Sequence, residues 1–479
     1  MGINGNQPQN GHLYDLPKPL NGHVHPENDH VDGQLKSPKG NTGEMARKLR
    51  FDTLQIHAGL DRTMKYGACA LPIYQTVSFE YRSSAAMVDA LSDIACSQKH
   101  LYSRVSNPTQ DAFEKRIAAL EDSGDALAFA SGSAAVLAVI STLAGRGDNI
   151  IVSTSIHSGT YRQFRNAHTH LEIEPRYADV NDIDKIRSLV DERTKFIFVE
   201  SIGNPMLSVP DFAELASICH TENNNMPLVV DATLTAAGYY CQPAKWGADI
   251  IIHSATKWIG GHGTTLGGLV METGRSPWQQ NKAKFPAIHG ELPGFDGEQD
   301  DYCAVAGARA YMQYLKNEYL RDTGGCLGPF ACQQLFIGVE TLSVRCERQT
   351  KSADTLARWL RNNPRVAWVS YLGFPDHQFH QMALKYLQRG FGTVVNFALK
   401  GGAEEAIRVI DQFNMILNST NVGDAKTIVG HHWSTTHRHF TREENLAMGV
   451  SEDLVRLSIG LEDALDIIDD FEQAFEKTR

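Results

Sequence analysis

Nowhere does the chain hold a run of about 18 apolar residues, so it has no candidate membrane span. The best stretch, Ala134 to Ala144, is too short and carries Ser141 and Thr142. Positive charge is also scarce. Lys plus Arg number 45 against 56 Asp plus Glu, a net charge of −11 over 479 residues. An acidic balance argues against nucleic-acid or anionic-membrane partners. None of the eight cysteines makes a C-x-x-C pair. Free thiols of a cytoplasmic protein are expected instead of a disulfide framework or zinc knuckle. G-x-G-x-x-G and G-x-x-x-x-G-K-[ST] are both missing, which removes the dinucleotide fingerprint and the P-loop. Aromatics are scarce where the chain starts. The first 50 residues have no Phe or Trp but seven Gly, five Pro and six Asn. Such a segment cannot bury enough apolar surface to offset its ordering entropy. Residues 1–50 are therefore expected to be a disordered tail.

Beyond about residue 125 short apolar runs alternate with helix-like stretches. The runs are Ala126–Ala130, Ile150–Ser153, Phe196–Val199, Leu228–Val230 and Ile250–Ile252. Ala134–Ala144, Ile183–Asp191 and Phe212–His220 lie between them. Apolar runs without a period of two suggest strands buried on both faces. Their alternation with helices predicts an α/β fold with a mainly parallel sheet. After about residue 330 one long helical stretch from Pro329 toward Leu360 is expected. Strands at Val366–Tyr371 and Thr393–Leu399 and a last helix to Glu476 follow. The expected division is 1–50 tail, 51–110 N-terminal arm, 111–328 α/β domain and 329–479 smaller α+β domain.

Six features could carry chemistry. Lys257 ends Ser254-Ala255-Thr256-Lys257, just past a buried strand. Partial burial lowers a lysine's pKa and frees its amine for a Schiff base with an aldehyde. Ser254 and Thr256 are small hydroxyl donors. Asp231 ends another strand, where a carboxylate needs a partner or simply caps a turn. Ser131-Gly132-Ser133 lies between a strand and a helix N-terminus, an anion site by geometry or only a tight turn. Tyr102 and Arg104 share one side of an extended segment and suit a phosphate. Arg456 alternates with Val455 and Leu457, so it faces away from the apolar set and could read a carboxylate or form an ordinary ion pair. His431, His432, His437 and His439 crowd one segment. It holds no carboxylate or cysteine, so an active-site loop is favoured and no metal is expected.

Together, in this order, these features resemble the Cys/Met-metabolism family of pyridoxal phosphate (PLP) enzymes. That family includes cystathionine γ-synthase, methionine γ-lyase and O-acetylhomoserine sulfhydrylase. The resemblance spans about residues 51–479 and is carried by Asp249 through His262, Tyr102-Ser103-Arg104, Glu200 through Pro205, Asn421-Val422-Gly423-Asp424 and Arg456 through Glu462. It implies a fold type I, aspartate aminotransferase-like architecture. Lys257 would carry PLP covalently and move protons, and Asp231 would face the ring nitrogen. Gly132, Ser133, Ser254 and Thr256 would bind the phosphate. Tyr102 and Arg104 would reach a neighbouring subunit, implying a dimer or tetramer. Asn204 would lie near the ring hydroxyl. Arg456, with Asn421 and Thr436, would hold the substrate.

Three stretches depart from the family's pattern. Ile156-His157-Ser158-Gly159-Thr160-Tyr161 stands for Leu-Tyr-Gly-Gly-Thr-Tyr, so His157 replaces a stacking tyrosine and could stack or donate a proton. Asp231-Ala232-Thr233-Leu234 replaces Asp-Asn-Thr-Phe, and His431-His432-Trp433-Ser434 replaces His-Pro-Ala-Ser. Trp433 and Tyr239-Tyr240 are expected to shape the substrate side. His157 and the segment from Ala237 to Pro243 resemble a fungal offshoot from loline and fusaric-acid-type alkaloid pathways. The implied reaction is γ-replacement on O-acetyl-L-homoserine with a carbon or amine nucleophile. Sulfide addition is the runner-up, and a PLP-fold binding protein without turnover is the alternative from another class.

Overall fold

The computed structural model describes residues 49–60, 67–92, 99–221, 224–276, 278–290, 292–293 and 299–479. The expected tail lies outside them except for its last two positions. Three helices come first: α1 (Phe51–His57), α2 (Ser84–Ser92) and α3 (Pro108–Glu121). Asn107 caps α3, its side chain accepting from the Thr109 N–H at 2.9 Å, and Pro108 fills the first helical position, where its missing N–H costs nothing. Phe113, Ile117 and Leu120 form its fully buried stripe.

Strands and helices then alternate: β1 (Asp125–Phe129), α4 (Gly132–Leu143), β2 (Asn149–Ser153), α5 (Ser158–Leu171), β3 (Glu174–Ala178), α6 (Ile183–Leu189), β4 (Thr194–Glu200), α7 (Phe212–Cys219), β5 (Leu228–Asp231), β6 (Ile250–Ser254) and β7 (Gly268–Glu272). They form one seven-stranded sheet in the order β1-β7-β6-β5-β4-β2-β3. Only β7 runs antiparallel to its neighbours β1 and β6; the other pairings are parallel. The mainly parallel expectation holds, and the reason is visible in the packing. Ile151, Ile197, Val199, Val230 and Ile251 feed one apolar cluster, while Ile150, Val152, Phe196, Phe198, Val229 and Ile252 feed another. Both faces are covered, so no polar position recurs every second residue.

Sequence reading passed over β3 and β7. Glu174-Pro175-Arg176-Tyr177 carries too little apolar content to read as a strand, which is what an edge position allows. β7 follows a loop and no helix, so it breaks the alternation that identified the rest.

A two-residue pair, β8 (Leu292–Pro293) and β9 (Gln299–Asp300), precedes the short helices α8 (Tyr302–Ala306), α9 (Ala310–Tyr314) and α10 (Arg321–Thr323). The long helix expected from Pro329 toward Leu360 is two helices, α11 (Pro329–Glu340) and α12 (Leu342–Asn362), divided at Thr341. The division lets Arg345 of α12 donate to the Gly338 carbonyl in the last turn of α11 at 2.6 Å and to the Trp258 carbonyl at 2.8 Å. A cation thereby satisfies carbonyls that a helix end leaves free. The remainder is β10 (Val366–Ser370), α13 (His380–Tyr386), β11 (Val394–Leu399), α14 (Gly402–Ile410), β12 (Leu417–Asn418), β13 (Ile428–His431), α15 (Arg442–Ala447), β14 (Val455–Ser458) and α16 (Ala464–Lys477). These strands form a second sheet, β10-β11-β14-β13-β12. Val395, Phe397, Val455 and Leu457 bury one face of it with α12, α14 and α16. Asn396, Gly430 and Arg456 belong to the other face, paired across it as Asn396 with Arg456 and Gly430 with Arg456. No helix of the described residues is long and apolar enough to cross a membrane, and the described cysteines are free thiols.

Candidate active site

Parallel strands present their ligand sites at their carboxyl ends. Five strand ends converge here: β1 leads to Ser131–Ser133, β2 to His157, β4 to Glu200 and Asn204, β5 to Asp231, and β6 to Ser254, Thr256 and Lys257. These residues, with Thr160, Thr233, Leu266, Thr420, Val422 and Arg456, line one cavity of about 230 Å³. Ten residues were expected to bind cofactor, and eight of them meet in this space: Gly132, Ser133, His157, Asn204, Asp231, Ser254, Thr256 and Lys257.

Lys257 donates from Nζ to Asn421 Oδ1 at 2.7 Å. Burial and the nearby Arg456 guanidinium pull its pKa down to about 8, against a smaller opposing pull from Asp424. Its amine is thus available near neutral pH. Asp231 Oδ1 accepts from the Thr233 N–H at 3.0 Å and the Thr233 hydroxyl at 2.6 Å. Its other oxygen has no partner among the described residues. Burial pushes its pKa up, and the Thr233 hydrogen bonds oppose this. Thr233 Oγ1 in turn accepts from the Ser254 N–H at 2.8 Å, linking the ends of β5 and β6.

The turn after β1 is an anion cradle. Ser131 caps α4 by accepting from the Ala134 N–H at 3.1 Å. Gly132 has no room for a side chain, because a Cβ there would sit 2.7 Å from Ser254 Cβ. The first turn of α4 therefore approaches Ser254 closely, with free backbone N–H groups and the positive end of the helix dipole.

Arg456 is 4% exposed. It donates to Asn204 Oδ1 at 2.9 Å and to the Asn421 carbonyl at 3.1 Å. No carboxylate pairs with it among the described residues. Burial lowers its pKa to about 10, so it stays charged at neutral pH.

Two further residues organise the site, and sequence reading gave neither a role. Thr233 is the first. Glu200, buried and paired in register with Asp231, is the second. It accepts the His157 N–H at 2.6 Å on one oxygen and the Asn204 N–H at 3.1 Å on the other. Burial and the Asp231 charge hold its carboxyl well above the usual range. A buried acid at the end of a strand, inside the Glu200–Pro205 motif, was the available signal.

His157 caps α5, its Nδ1 accepting from the Gly159 N–H at 3.2 Å. Its ring is exposed, but to the cavity it lines. Loss of bulk solvent there, then the nearby charges of Lys257 and Arg456 and the His437 ring, bring its pKa down to about 4. With Nδ1 an acceptor, the neutral ring carries its proton on Nε2. His157 therefore offers a neutral N–H donor, which settles the charge state that the tyrosine replacement left open.

Other expectations change. Trp433 packs against the Phe440, Met448 and Val450 cluster and is not part of the cavity lining. Tyr239 and Tyr240 are core residues, meeting Phe51, Arg389 and Thr350. Thr436 also stands behind the lining, between His432 and His437. Tyr102 and Arg104 are exposed outside the cavity of their own chain; Arg104 donates to the Arg321 carbonyl and lies 5.2 Å over the Tyr102 ring. Of the histidine segment, His431 is fully paired, to Ser434 and to the Glu452 carbonyl, each at 2.8 Å, and His439 is exposed.

The donor set fits pyridoxal phosphate: an amine of lowered pKa, a carboxylate with one free oxygen and a side-chain-free anion cradle face one cavity. A family model described as Cys/Met metabolism PLP-dependent enzyme matches residues 52–476. The sulfhydrylase FUB7 of Fusarium oxysporum is 42% identical over 429 residues, 89% of this chain and 97% of that protein. The sulfhydrylase-like protein lolC1 of Epichloe uncinata is 42% identical over 427 residues, 89% of this chain and 88% of that protein. The homocysteine/cysteine synthase of Saccharomyces cerevisiae is 42% identical over 440 residues, 89% of this chain and 97% of that protein. Among solved structures, the metY protein of Campylobacter jejuni superposes with a TM-score of 0.83 at 29% identity, covering 89% of this chain and all of that one. It carries a pyridoxyl-lysine phosphate.

Proposed function

Because this chain belongs to the Cys/Met metabolism PLP-dependent enzyme family, we propose that it joins a nucleophile to Cγ of O-acetyl-L-homoserine, releasing acetate. Pyridoxal phosphate is its cofactor. The observation that carries the amino-acid reading is Arg456, a buried guanidinium with no carboxylate partner among the described residues, in one cavity with the Lys257 amine. A buried charge needs a counter-charge, and the α-carboxylate of an amino acid supplies one in the fork's own planar geometry.

Lys257 would hold the cofactor, and its Nζ would move protons at Cα and Cβ. Asp231, fixed by Thr233, would hold a proton on the ring nitrogen. Gly132, Ser133, Ser254 and Thr256 bind the phosphate. Bound there, the cofactor supplies an electron sink for the pair left when the α-proton departs. Asn204 and Asn421 orient Arg456 for the substrate. Tyr102 and Arg104 complete the phosphate site of a second subunit in a cytoplasmic dimer or tetramer.

A carbon or amine nucleophile is the leading choice, in a fungal alkaloid route. One departure from the family's pattern, His157, lines the cavity and supports it. Sulfide is the second reading, favoured by relatives that bear the names sulfhydrylase and homocysteine synthase. Mass spectrometry of products from O-acetyl-L-homoserine, with sulfide and with amine and carbon nucleophiles, tests both. A homocysteine product alone refutes the leading choice. No product, with the visible absorbance of bound cofactor intact, supports the binding protein without turnover.

A further inference from the structure

Asn204 lines the active-site cavity, and two residues further on Met206 lines a second one, of about 430 Å³. That volume suits a small molecule. Trp368 and Ser370 of β10 and Asn396 of β11 give it a sheet floor, and Phe374 and His377 stand beside them.

Ser370 has a proton to give. His377 Nδ1 accepts from the Phe379 N–H at 3.2 Å. Burial and the neighbouring His380 hold the pKa of His377 down, against a smaller pull from Asp376, so the ring is neutral. Its proton is therefore on Nε2. Nε2 lies 3.0 Å from Ser370 Oγ, so the ring donates and the hydroxyl accepts. The Ser370 proton then meets no acceptor among the described residues. Ser370 is only partly buried and lines the cavity, where a ligand can reach it.

The rest of the lining says what kind of ligand. Trp368 and Phe374 supply flat apolar surface. The indole is fixed, because Nε1 donates to Asp453 Oδ2 at 3.0 Å and the Ser451 hydroxyl holds the other oxygen at 2.6 Å. Among the lining residues Asp376 alone carries a charge, and Arg361 already holds both its oxygens, one of them at 2.9 Å. No charged ligand is called for. A neutral, flat molecule with a carbonyl oxygen meets both the walls and the hydroxyl.

Position ties this cavity to the substrate site. Ser370 pairs in register with Asn396, and Asn396 with Arg456. The three side chains therefore stand in one row on one sheet face. Asn396 donates to the Pro205 carbonyl at 2.5 Å, and Arg456 donates to Asn204 Oδ1 at 2.9 Å. Residues 204 and 205 are thus bonded to two members of the row, and Met206 lines the second cavity. A molecule seated against Met206 and Ser370 bears on the segment that orients Arg456.

We propose that this cavity is a second ligand site, taking a neutral planar molecule whose carbonyl accepts from the Ser370 hydroxyl and whose ring lies against Trp368 and Phe374, and that its occupancy is coupled through residues 204–206 to amino-acid binding at Arg456. The coupling rests on the amino-acid reading of Arg456; binding in the cavity does not.

The probe is 4-fluorobenzamide, titrated into the holoenzyme and followed by fluorine NMR. A Kd of about 1–10 mM is expected for a fragment of this size. Ser370→Ala should weaken binding about tenfold, the scale of one hydrogen bond, and Ser370→Thr, which keeps the hydroxyl, should retain it. Equal Kd values in wild type and Ser370→Ala, or no saturable binding, overturn the site and leave water as the partner of Ser370. A crystal soaked with the probe should show it at Ser370; a probe found only in the active-site cavity overturns the site as well. L-homoserine carries the amino-acid carboxylate without the acetyl leaving group, and its excess should change the probe's Kd about twofold or more. A Kd that stays the same while the visible absorbance reports bound amino acid overturns the coupling. An absorbance that never responds to L-homoserine removes the amino-acid reading and the coupling with it, while the Ser370→Ala result still judges the cavity.

Discussion

Lys257 should weaken the cofactor-free fold that it serves. Its folded pKa of about 8 lies below its ordinary 10.5, so the unfolded chain holds that proton more tightly. Below pH 8 the folded state bears the full penalty. Between pH 8 and 10.5 the penalty shrinks as the unfolded amine also loses its proton. Each tenfold in proton affinity is worth about 1.4 kcal/mol, so the drop from 10.5 to about 8 costs about 3 kcal/mol at pH 7. Two effects trim this. The amine is partly open to the cavity, and it donates a hydrogen bond to Asn421 Oδ1. A net gain of about 1–2 kcal/mol is therefore expected when Lys257→Met replaces the cation with an unbranched apolar chain. The assay is thermal melting of cofactor-free wild type and variant at pH 7 and pH 10. The variant should melt about 2 °C higher at pH 7, and the gap should narrow toward pH 10. A variant that melts lower at pH 7, or a gap that ignores pH, refutes the reasoning. With cofactor present the order should reverse, because binding stabilises only the protein that can hold it.

The parts of the fold that follow one physical rule were legible. Buried parallel strands read as unbroken apolar runs, and the site lies where such strands end, so Lys257, Asp231 and Gly132 could be placed before any coordinates. Asn107-Pro108 starts α3 through local capping chemistry alone. What resisted reading depends on contacts distant in sequence. The division at Thr341 is stabilised by Arg345 reaching Trp258, 87 residues away. The environment of Glu200 comes from burial and from Asp231 on the neighbouring strand, which one strand's sequence does not show. Trp433 looked like a wall of the site because it departs from the His-Pro-Ala-Ser pattern of a family loop. The side-chain direction was set by Phe440 and Met448, to which a linear motif gives no clue.

Three further outcomes bear on the site. Gly159→Ala places a Cβ 2.7 Å from His157 Cε1; the ring should leave its capping position at a cost of about 1 kcal/mol, and a crystal structure with the ring unmoved would disprove the close-contact argument. Thr233→Val removes the hydroxyl that bonds Asp231 and Ser254; cofactor affinity should fall about tenfold by titration, Thr233→Ser should retain it, and equal affinity in all three proteins rules out the anchoring role. His157 is the sharpest case, because it stands where the family pattern has a tyrosine. A histidine of ordinary pKa would change charge between pH 6 and 7 and impose an acid limb on turnover. In this cavity its pKa is about 4, so protonation begins to matter only near that pH. Above it the ring is a neutral Nε2–H donor, and glutamine can present an N–H in the same place. His157→Gln should therefore preserve the shape of the kcat/KM pH profile between pH 5.5 and 8, even if the rate falls. Should a wild-type acid limb near pH 6.5 vanish in His157→Gln, His157 titrates near its ordinary range during turnover, and the cationic surroundings of Lys257 and Arg456 do not govern it.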